Sequence, residues 1–250
     1  MKNVWFTSDT HFGHLKIPLY SKRKFCLSES ELSAANEIWE EKSARNSKWT
    51  PSHESILRMD EYLIDRINEN VGRDDILWHL GDFCFWKKTD AARRARRYRE
   101  RINCRNVFLV AGNHDIPETR EAFDASYDYR EIKVQSKDIV MSHYALCFWN
   151  KSHYGSWMLY GHAHGTAERW LDVYMSGRLS MDVGVDNAYK ILGEYRPFSF
   201  REISSIMENR RGFRIDGNDF TTQRSAVECL VEESEACRRQ DLFLKTISDS

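Results

Sequence analysis

The chain has 250 residues, 41% hydrophobic and 30% charged, enough to bury a full core in one large domain with elaborations or an appendage. Its formal net charge of −1 excludes a global positive field toward nucleic acid or membrane, so any such preference has to be local. No apolar run approaches the ~20 residues of a membrane helix, and Met1-Lys2 leads straight into Val4-Trp5-Phe6 without a signal-peptide region, so a soluble, cytoplasmic protein is expected.

In chain order, the first strand is expected over residues 4–8, where Val4, Trp5 and Phe6 run into a polar loop. Ser28-x-x-Glu31 is a capping box, opening a helix with Leu32, Ala35 and Ile38 on one face. Thr50 and Pro51 read as the N-cap and first position of a second helix, whose stripe of Ile56, Met59, Leu63 and Ile67 ends at Gly72. Strands follow at 76–80, 107–110, 139–142 and 158–160. Between the first two of these, a helix over 90–103 carries Ala91, Ala95, Tyr98 and Ile102 on one face and arginines over the rest. A last strand-like stretch covers 180–186, and Ser199-x-x-Glu202 is a further capping box, opening a helix through Ile203, Ile206 and Met207. Strands alternating with helices imply an α/β fold. From about Asn209 onward the pattern is lost.

Six cysteines (Cys26, Cys84, Cys104, Cys147, Cys229, Cys237) form no C-x-x-C pair and read as free, mostly buried thiols. Metal chemistry therefore has to be sought among the carboxylates and the nine histidines. Five motifs carry it: Asp9-x-His11, Gly81-Asp82, Gly112-Asn113-His114-Asp115, His143 and Gly161-His162-Ala163-His164-Gly165. Each sits where an apolar strand ends, the side on which α/β sheets gather catalytic groups. Asp9, His11, Asp82, Asn113, His143, His162 and His164 then supply nitrogen and oxygen donors without a thiolate, a set suited to manganese, iron, zinc or nickel. With one bridging carboxylate, such a set can hold two ions at the ~3.5–4 Å separation of two-metal hydrolases.

Taken in order, D-x-H, G-D, G-N-H-D, H and G-H-x-H resemble the calcineurin-like metallophosphoesterase superfamily, with no element missing between residue 1 and about 205. The opening Asp9-Thr10-His11-Phe12-Gly13-His14 is similar to small bacterial and phage-type members. The protein Ser/Thr phosphatase branch is disfavoured, because Gly81-Asp82 continues as Phe83-Cys84-Phe85 rather than as D-R-G, and the third motif ends in Asp115 rather than glutamate. The resemblance implies a four-layer α/β sandwich with two central mixed sheets flanked by helices. It implies a catalytic domain over 1–205 with a helical insertion at about 21–73, followed by a C-terminal extension over 206–250. It assigns Asp9, His11, Asp82 and His164 to one divalent ion, manganese by first choice, and Asp82, Asn113, His143 and His162 to another. It also makes His114 the proton donor to the departing oxygen, with Asp115 orienting its ring.

The activity so implied is hydrolysis of phosphate monoesters or diesters, nucleotide-like ones among them, by a hydroxide bridging the two ions. Asn113 and Phe85 are candidate substrate contacts, with Trp86 beside Phe85; for His14, substrate contact and a purely local role stay equally open. His79, His53 and His153 are read as structural or surface residues. Two other functions compete. One is a nuclease tracking single strands on its arginine face, since residues 87–105 hold nine Lys or Arg against Asp90 and Glu100, although a solvated helix face is the preferred reading. The other is a metal-stabilised scaffold without activity, against which His114 argues. The helices of the insertion are expected to form a cap beside the metals and to select the substrate. Oligomeric state is not legible in the sequence.

Overall fold

The structure, a computed structural model, describes residues 2–86, 88–175 and 177–210; beyond residue 210, the C-terminal extension expected from the sequence lies outside the described residues. Strands β1 (Val4–Thr7), β2 (Ile76–His79), β3 (Asn106–Val110) and β4 (Ser126–Tyr127) pair in parallel. Strands β5 (Tyr129–Val134), β6 (Lys137–Ser142), β7 (Trp157–Tyr160) and β8 (Ser180–Asp182) make a second sheet in that order, antiparallel only between β5 and β6. The short β9 (Phe198–Ser199) closes the first sheet antiparallel to β1, giving the order β4-β3-β2-β1-β9.

Helices α1 (Ile17–Tyr20), α2 (Glu29–Glu40) and α3 (His53–Asn70) all precede β2, and α4 (Lys88–Arg101) joins β2 to β3. The remainder are α5 (Pro117–Arg120), α6 (Glu168–Tyr174), α7 (Val185–Leu192) and α8 (Phe200–Glu208). No described helix is long and apolar enough to cross a membrane.

The period-2 alternation of strand side chains builds four layers. On β2 and β3, Leu77, Val107 and Leu109 face a core completed by Ile56, Met59 and Leu63 of α3 and Ala95 of α4. Their neighbours Trp78 and Val110 turn the other way, against Ile139, Met141, Trp157 and Leu159 of the second sheet. Val140, Met158 and Tyr160 point outward from that sheet onto Leu171 of α6. Helix, sheet, sheet and helix are thus stacked with three apolar interfaces, the sandwich the sequence implied.

Some boundaries differ from the sequence reading. Both expected capping boxes form, at Ser28 with Glu31 and at Ser199 with Glu202. The α3 N-cap is Ser52, whose side chain accepts from Ser55 N, so the helix starts two residues later than Thr50-Pro51 indicated. The stretch 180–186 splits: β8 stops at Asp182, whose carboxylate accepts from Gly184 N (2.7 Å), and α7 starts at Val185. The described thiols are free, with Cys26, Cys84 and Cys104 buried and Cys147 exposed.

Candidate metal centre

The loops that leave β1, β2, β3, β6 and β7 are laced to one another by backbone groups. Asp9 N donates to Gly81 O (2.9 Å), His11 N to Asp82 O (2.9 Å), and Gly161 N to His143 O (3.0 Å). Side chains complete the lacing: Asp9 accepts twice from His162 N (3.1 and 3.0 Å), and Asp82 Oδ1 accepts from His114 N (2.9 Å). This close approach is why glycine is required at Gly81 and Gly112. Gly81 has φ +100°, and a Cβ at Gly112 would stand 2.3 Å from Asp82 Oδ1. Asp9, His11, Asp82, His162 and His164 all have positive φ, between 50° and 68°, conformations that cost free energy in L-residues.

The result is one cluster. His11 Nε2 and His143 Nε2 each lie 3.4 Å from the same oxygen, Asp82 Oδ2, and His114 Nε2 lies 4.0 Å from it. Asp9 Oδ1 is 3.8 Å from His11 Nε2 and 3.9 Å from His164 Nε2. Three overlapping groups could each hold an ion: Asp9, His11 and His164; His11, Asp82 and His114; Asp82, His143 and His162. The nitrogens His11 Nε2 and His143 Nε2 are buried with no hydrogen-bond partner, a costly arrangement unless a cation meets them. His143 Nδ1 lies 2.8 Å from Leu80 O and His164 Nδ1 lies 2.6 Å from Asp186 Oδ2, so each neutral ring carries its proton on Nδ1 and turns Nε2 toward the carboxylates. Burial acts to lower both pKa values, but Asp82 and Asp9 prevail at His143 and raise it to about 9, and Asp186 and Asp9 raise His164, so a metal ion competes with a proton at these two nitrogens. Burial, reinforced by the neighbouring charges of His164 and Arg23, holds the His11 imidazolium well below its ordinary pKa, as a ligand requires. Burial likewise lowers His14 to about 4, helped by His114 and Arg23. These donors fit divalent metal ions.

The other candidates are drawn to the same place. Asn113 and His162 are exposed at the cleft wall, with Tyr144 Oη donating to Asn113 Oδ1 (3.4 Å). His14 stacks on Phe85 (centroids 4.3 Å apart) and Phe85 stands edge-on to His114 (5.0 Å). Asp115 is held otherwise than the resemblance implied: among the described residues no hydrogen bond or ion pair joins its carboxylate to the His114 ring. Its carboxylate accepts from Asp82 N (2.7 Å), Gly112 N (2.8 Å) and Phe83 N (3.0 Å), pinning the second and third motif loops together, and burial pushes its pKa up to about 6.

Sequence reasoning missed the residues beneath the cluster. Arg23 is fully buried and donates from Nε and Nη2 to both oxygens of Asp186 (2.9 and 2.8 Å). Its nitrogens also reach Thr10 O (2.9 Å) and Asp9 O (2.6 Å), tying the first motif loop to the partner of His164. Burial alone would raise Asp186, but Arg23 and His164 outweigh it and hold the carboxyl at about 2. Asp182 meanwhile accepts from Gly165 N (2.7 Å) and steadies the fifth motif. The only sequence signal for this layer was a run of aspartates, Asp182 and Asp186, behind a strand; nothing local ties Arg23 to a residue 163 positions away.

A family model for calcineurin-like phosphoesterases matches residues 2–215, and the chain belongs to that family. Membership makes it a metal-dependent hydrolase of phosphoesters. An uncharacterised protein of Methanocaldococcus jannaschii is 25% identical over 214 residues, 86% of this chain and 96% of its own. The Gene 66 protein of Mycobacterium phage D29 is 31% identical over 83 residues, 33% of this chain and 26% of its own. Among solved structures, a protein of unknown function from Aquifex aeolicus shares the fold, with a TM-score of 0.52 and 20% identity over 82% of this chain and all of that one (100%).

Proposed function

We propose that the chain hydrolyses phosphate monoesters or diesters, nucleotide-like ones among them, at a pair of divalent metal ions. Asp9, His11, Asp82 and His164 hold one ion, and Asp82, Asn113, His143 and His162 the other, with manganese the first candidate and iron, zinc or nickel compatible with the same donors. One observation carries the reading: two buried, partnerless imidazole nitrogens, on His11 and His143, converge at 3.4 Å on a single Asp82 oxygen. When bound, the ions supply positive charge for the phosphoryl oxygens and acidify a coordinated water.

The chain's own residues do the rest. Leu80 O and Asp186 orient the rings of His143 and His164, and the burial of Asp9 and His11 keeps bulk water from their inner side. His114, whose side chain keeps 35% of its surface open to the cleft, carries the proton to the departing oxygen. Phe85 packs edge-on against that ring, and His14 behind Phe85 lines the same cleft. The arginine face of α4 does not favour the nuclease alternative: Arg93 pairs with Asp90, Arg101 pairs with Glu61, and Arg94 lies over Trp86 (3.7 Å).

The test is a panel of matched monoesters and diesters, including nucleotides, run with Mn²⁺, Ni²⁺ and Zn²⁺ beside metal analysis. His114→Ala is expected to keep its metal and lose ~10²–10⁴ in rate on esters with poor leaving groups. Metal-loaded protein inert toward the whole panel would overturn the reading in favour of a scaffold.

A further inference from the structure

The cleft at the metal cluster is far larger than one phosphoryl group needs. Its volume is about 1340 Å³, above the ~300–1,000 Å³ of ordinary small-ligand sites. Next to His164 the cleft is lined by the segment around α1 with the insertion that follows it and by α7, a part of the cleft called the arm. Four cations line that arm: Lys22, Lys24, Arg45 and Lys190. Among the described residues none of the four pairs with a carboxylate. Lys22 and Lys24 lie over the Trp39 ring (5.8 and 5.6 Å), and Lys190 Nζ donates to His164 O (2.9 Å). The lining carboxylates are already engaged, Asp186 by Arg23 and Asp82 within the histidine cluster.

The arm begins directly beside the cluster, because Ser21 Oγ lies 3.1 Å from His164 Nδ1 and Lys22 is the next residue. Its inner surface is aromatic. Phe25 packs on Tyr62 and Tyr195 (4.6 and 4.5 Å), and Tyr189 stacks flat on Tyr195, with rings 4.4 Å apart and inclined by 9°. Tyr189 nevertheless remains 51% exposed, so it offers a free surface to a further planar ring. Cations without carboxylate partners and an aromatic surface lining the same cleft suit a ligand that is at once anionic and planar.

Resting on the phosphoesterase reading above, we propose that this arm is a second anion site. It takes an additional phosphate of a nucleotide whose scissile phosphate lies at the histidine and carboxylate cluster and whose base lies on Tyr189. The substrate class is then a nucleotide with more than one phosphate, and the insertion supplies selectivity through Lys24 and Arg45.

Adenosine 3′,5′-bisphosphate, adenosine 5′-monophosphate, ribose 5-phosphate and p-nitrophenyl phosphate are the probes, used with the full chain. Equilibrium binding is measured in EDTA and in Mn²⁺, and kcat/KM in Mn²⁺. The wild type is expected to prefer the bisphosphate over the monophosphate by about tenfold or more in both binding and kcat/KM, the worth of a charge-assisted phosphate contact. Lys24→Gln combined with Arg45→Gln, both exposed positions, brings that ratio toward one, and Tyr189→Ala removes the preference for adenosine 5′-monophosphate over ribose 5-phosphate. Equal binding of bisphosphate and monophosphate, or a ratio unchanged in the double variant, overturns the arm, and turnover of p-nitrophenyl phosphate in the same preparation leaves the phosphoesterase reading standing. Conversely, a bisphosphate preference in EDTA without turnover of any ester overturns the phosphoesterase reading and retains the anion site.

Discussion

Replacing Asp186 with leucine tests the clamp beneath the cluster. The substitution leaves the Arg23 guanidinium fully buried with its carboxylate gone, although Asp9 O and Thr10 O remain as acceptors. Breaking a buried ion pair from one side costs about 3–5 kcal/mol, a large part of the ~5–15 kcal/mol that holds a domain folded. At ~2–4 °C per kcal/mol for a domain of this size, Tm falls by about 6–20 °C. Urea denaturation in EDTA reads this loss without the metal. Manganese titration reads a separate one: His164 loses the acceptor that fixes its tautomer, which lowers metal affinity by about 10–100-fold. Arg23→Met is the second arm of a double-mutant cycle, and the two substitutions together lose less stability than their sum by about 2–3 kcal/mol, because neither charge is then stranded. Metal affinity does not return in the double variant. Additivity of the two losses to within about 0.5 kcal/mol refutes the clamp, and wild-type metal affinity in Asp186→Leu refutes the role assigned to it in holding His164.

Other outcomes follow from the same geometry. Asp82→Asn is expected to reduce occupancy to fewer than two ions per chain by elemental analysis; two tightly held ions and full turnover would remove Asp82 from the shared position. Gly112→Ala forces a Cβ to 2.6 Å from Asp82 N as well as onto Asp82 Oδ1, so activity is lost with metal binding, and an active variant would mean that the two loops can separate. Excess Mn²⁺ raises Tm over the EDTA-treated protein, by the equivalent of ~2.7 kcal/mol at one hundred times Kd, and a metal-independent Tm contradicts the metal site. Burial of Glu31 acts to raise its pKa, but hydrogen bonds from Ser55, Ser28 and Ser52 prevail and hold it at about 2. A depressed carboxyl stabilises the fold above its unfolded pKa, and that stability drains away as pH falls from about 4.5 toward 2. Glu31→Gln accordingly flattens the stability profile in that window; a profile identical to wild type there shows that the α2 and α3 caps do not depend on this charge.

The parts of the molecule legible in the sequence were those encoded by short-range pattern. Leu77 and Trp78, or Val140 and Met141, declare a strand by facing opposite cores, and a histidine or aspartate at its end declares the motif loop. Strand β5 escaped because Arg130, Glu131 and Lys133 stand on an exposed edge, where charge protects the sheet from further pairing and hides the apolar alternation. The start of helix α7, Val185 and Asp186, was read as the end of a strand because Val183 and Val185 are β-branched, while what turns the chain is Asp182 accepting from Gly184 N. Membership of Asp115 in the third motif was legible, but its partners were not: three backbone N–H groups from two loops are a tertiary fact, as is the pairing of Arg23 with Asp186.

The left-handed backbone at Asp9, His11, Asp82, His162 and His164 places folding and chemistry in opposition at the same five positions. Each such residue costs of order 1–3 kcal/mol where glycine would rest at ease. Relaxed selection on activity therefore has a downhill route in stability. Without its metals the chain can relax the backbone by exchanging His11, His162 or His164 for glycine or asparagine, whereas Asp9 and Asp82 still accept backbone N–H groups that hold the loops together. For an engineer the same positions are a warning, because a screen for heat resistance run without metal rewards relaxing the strained histidines and gives their ligation no weight.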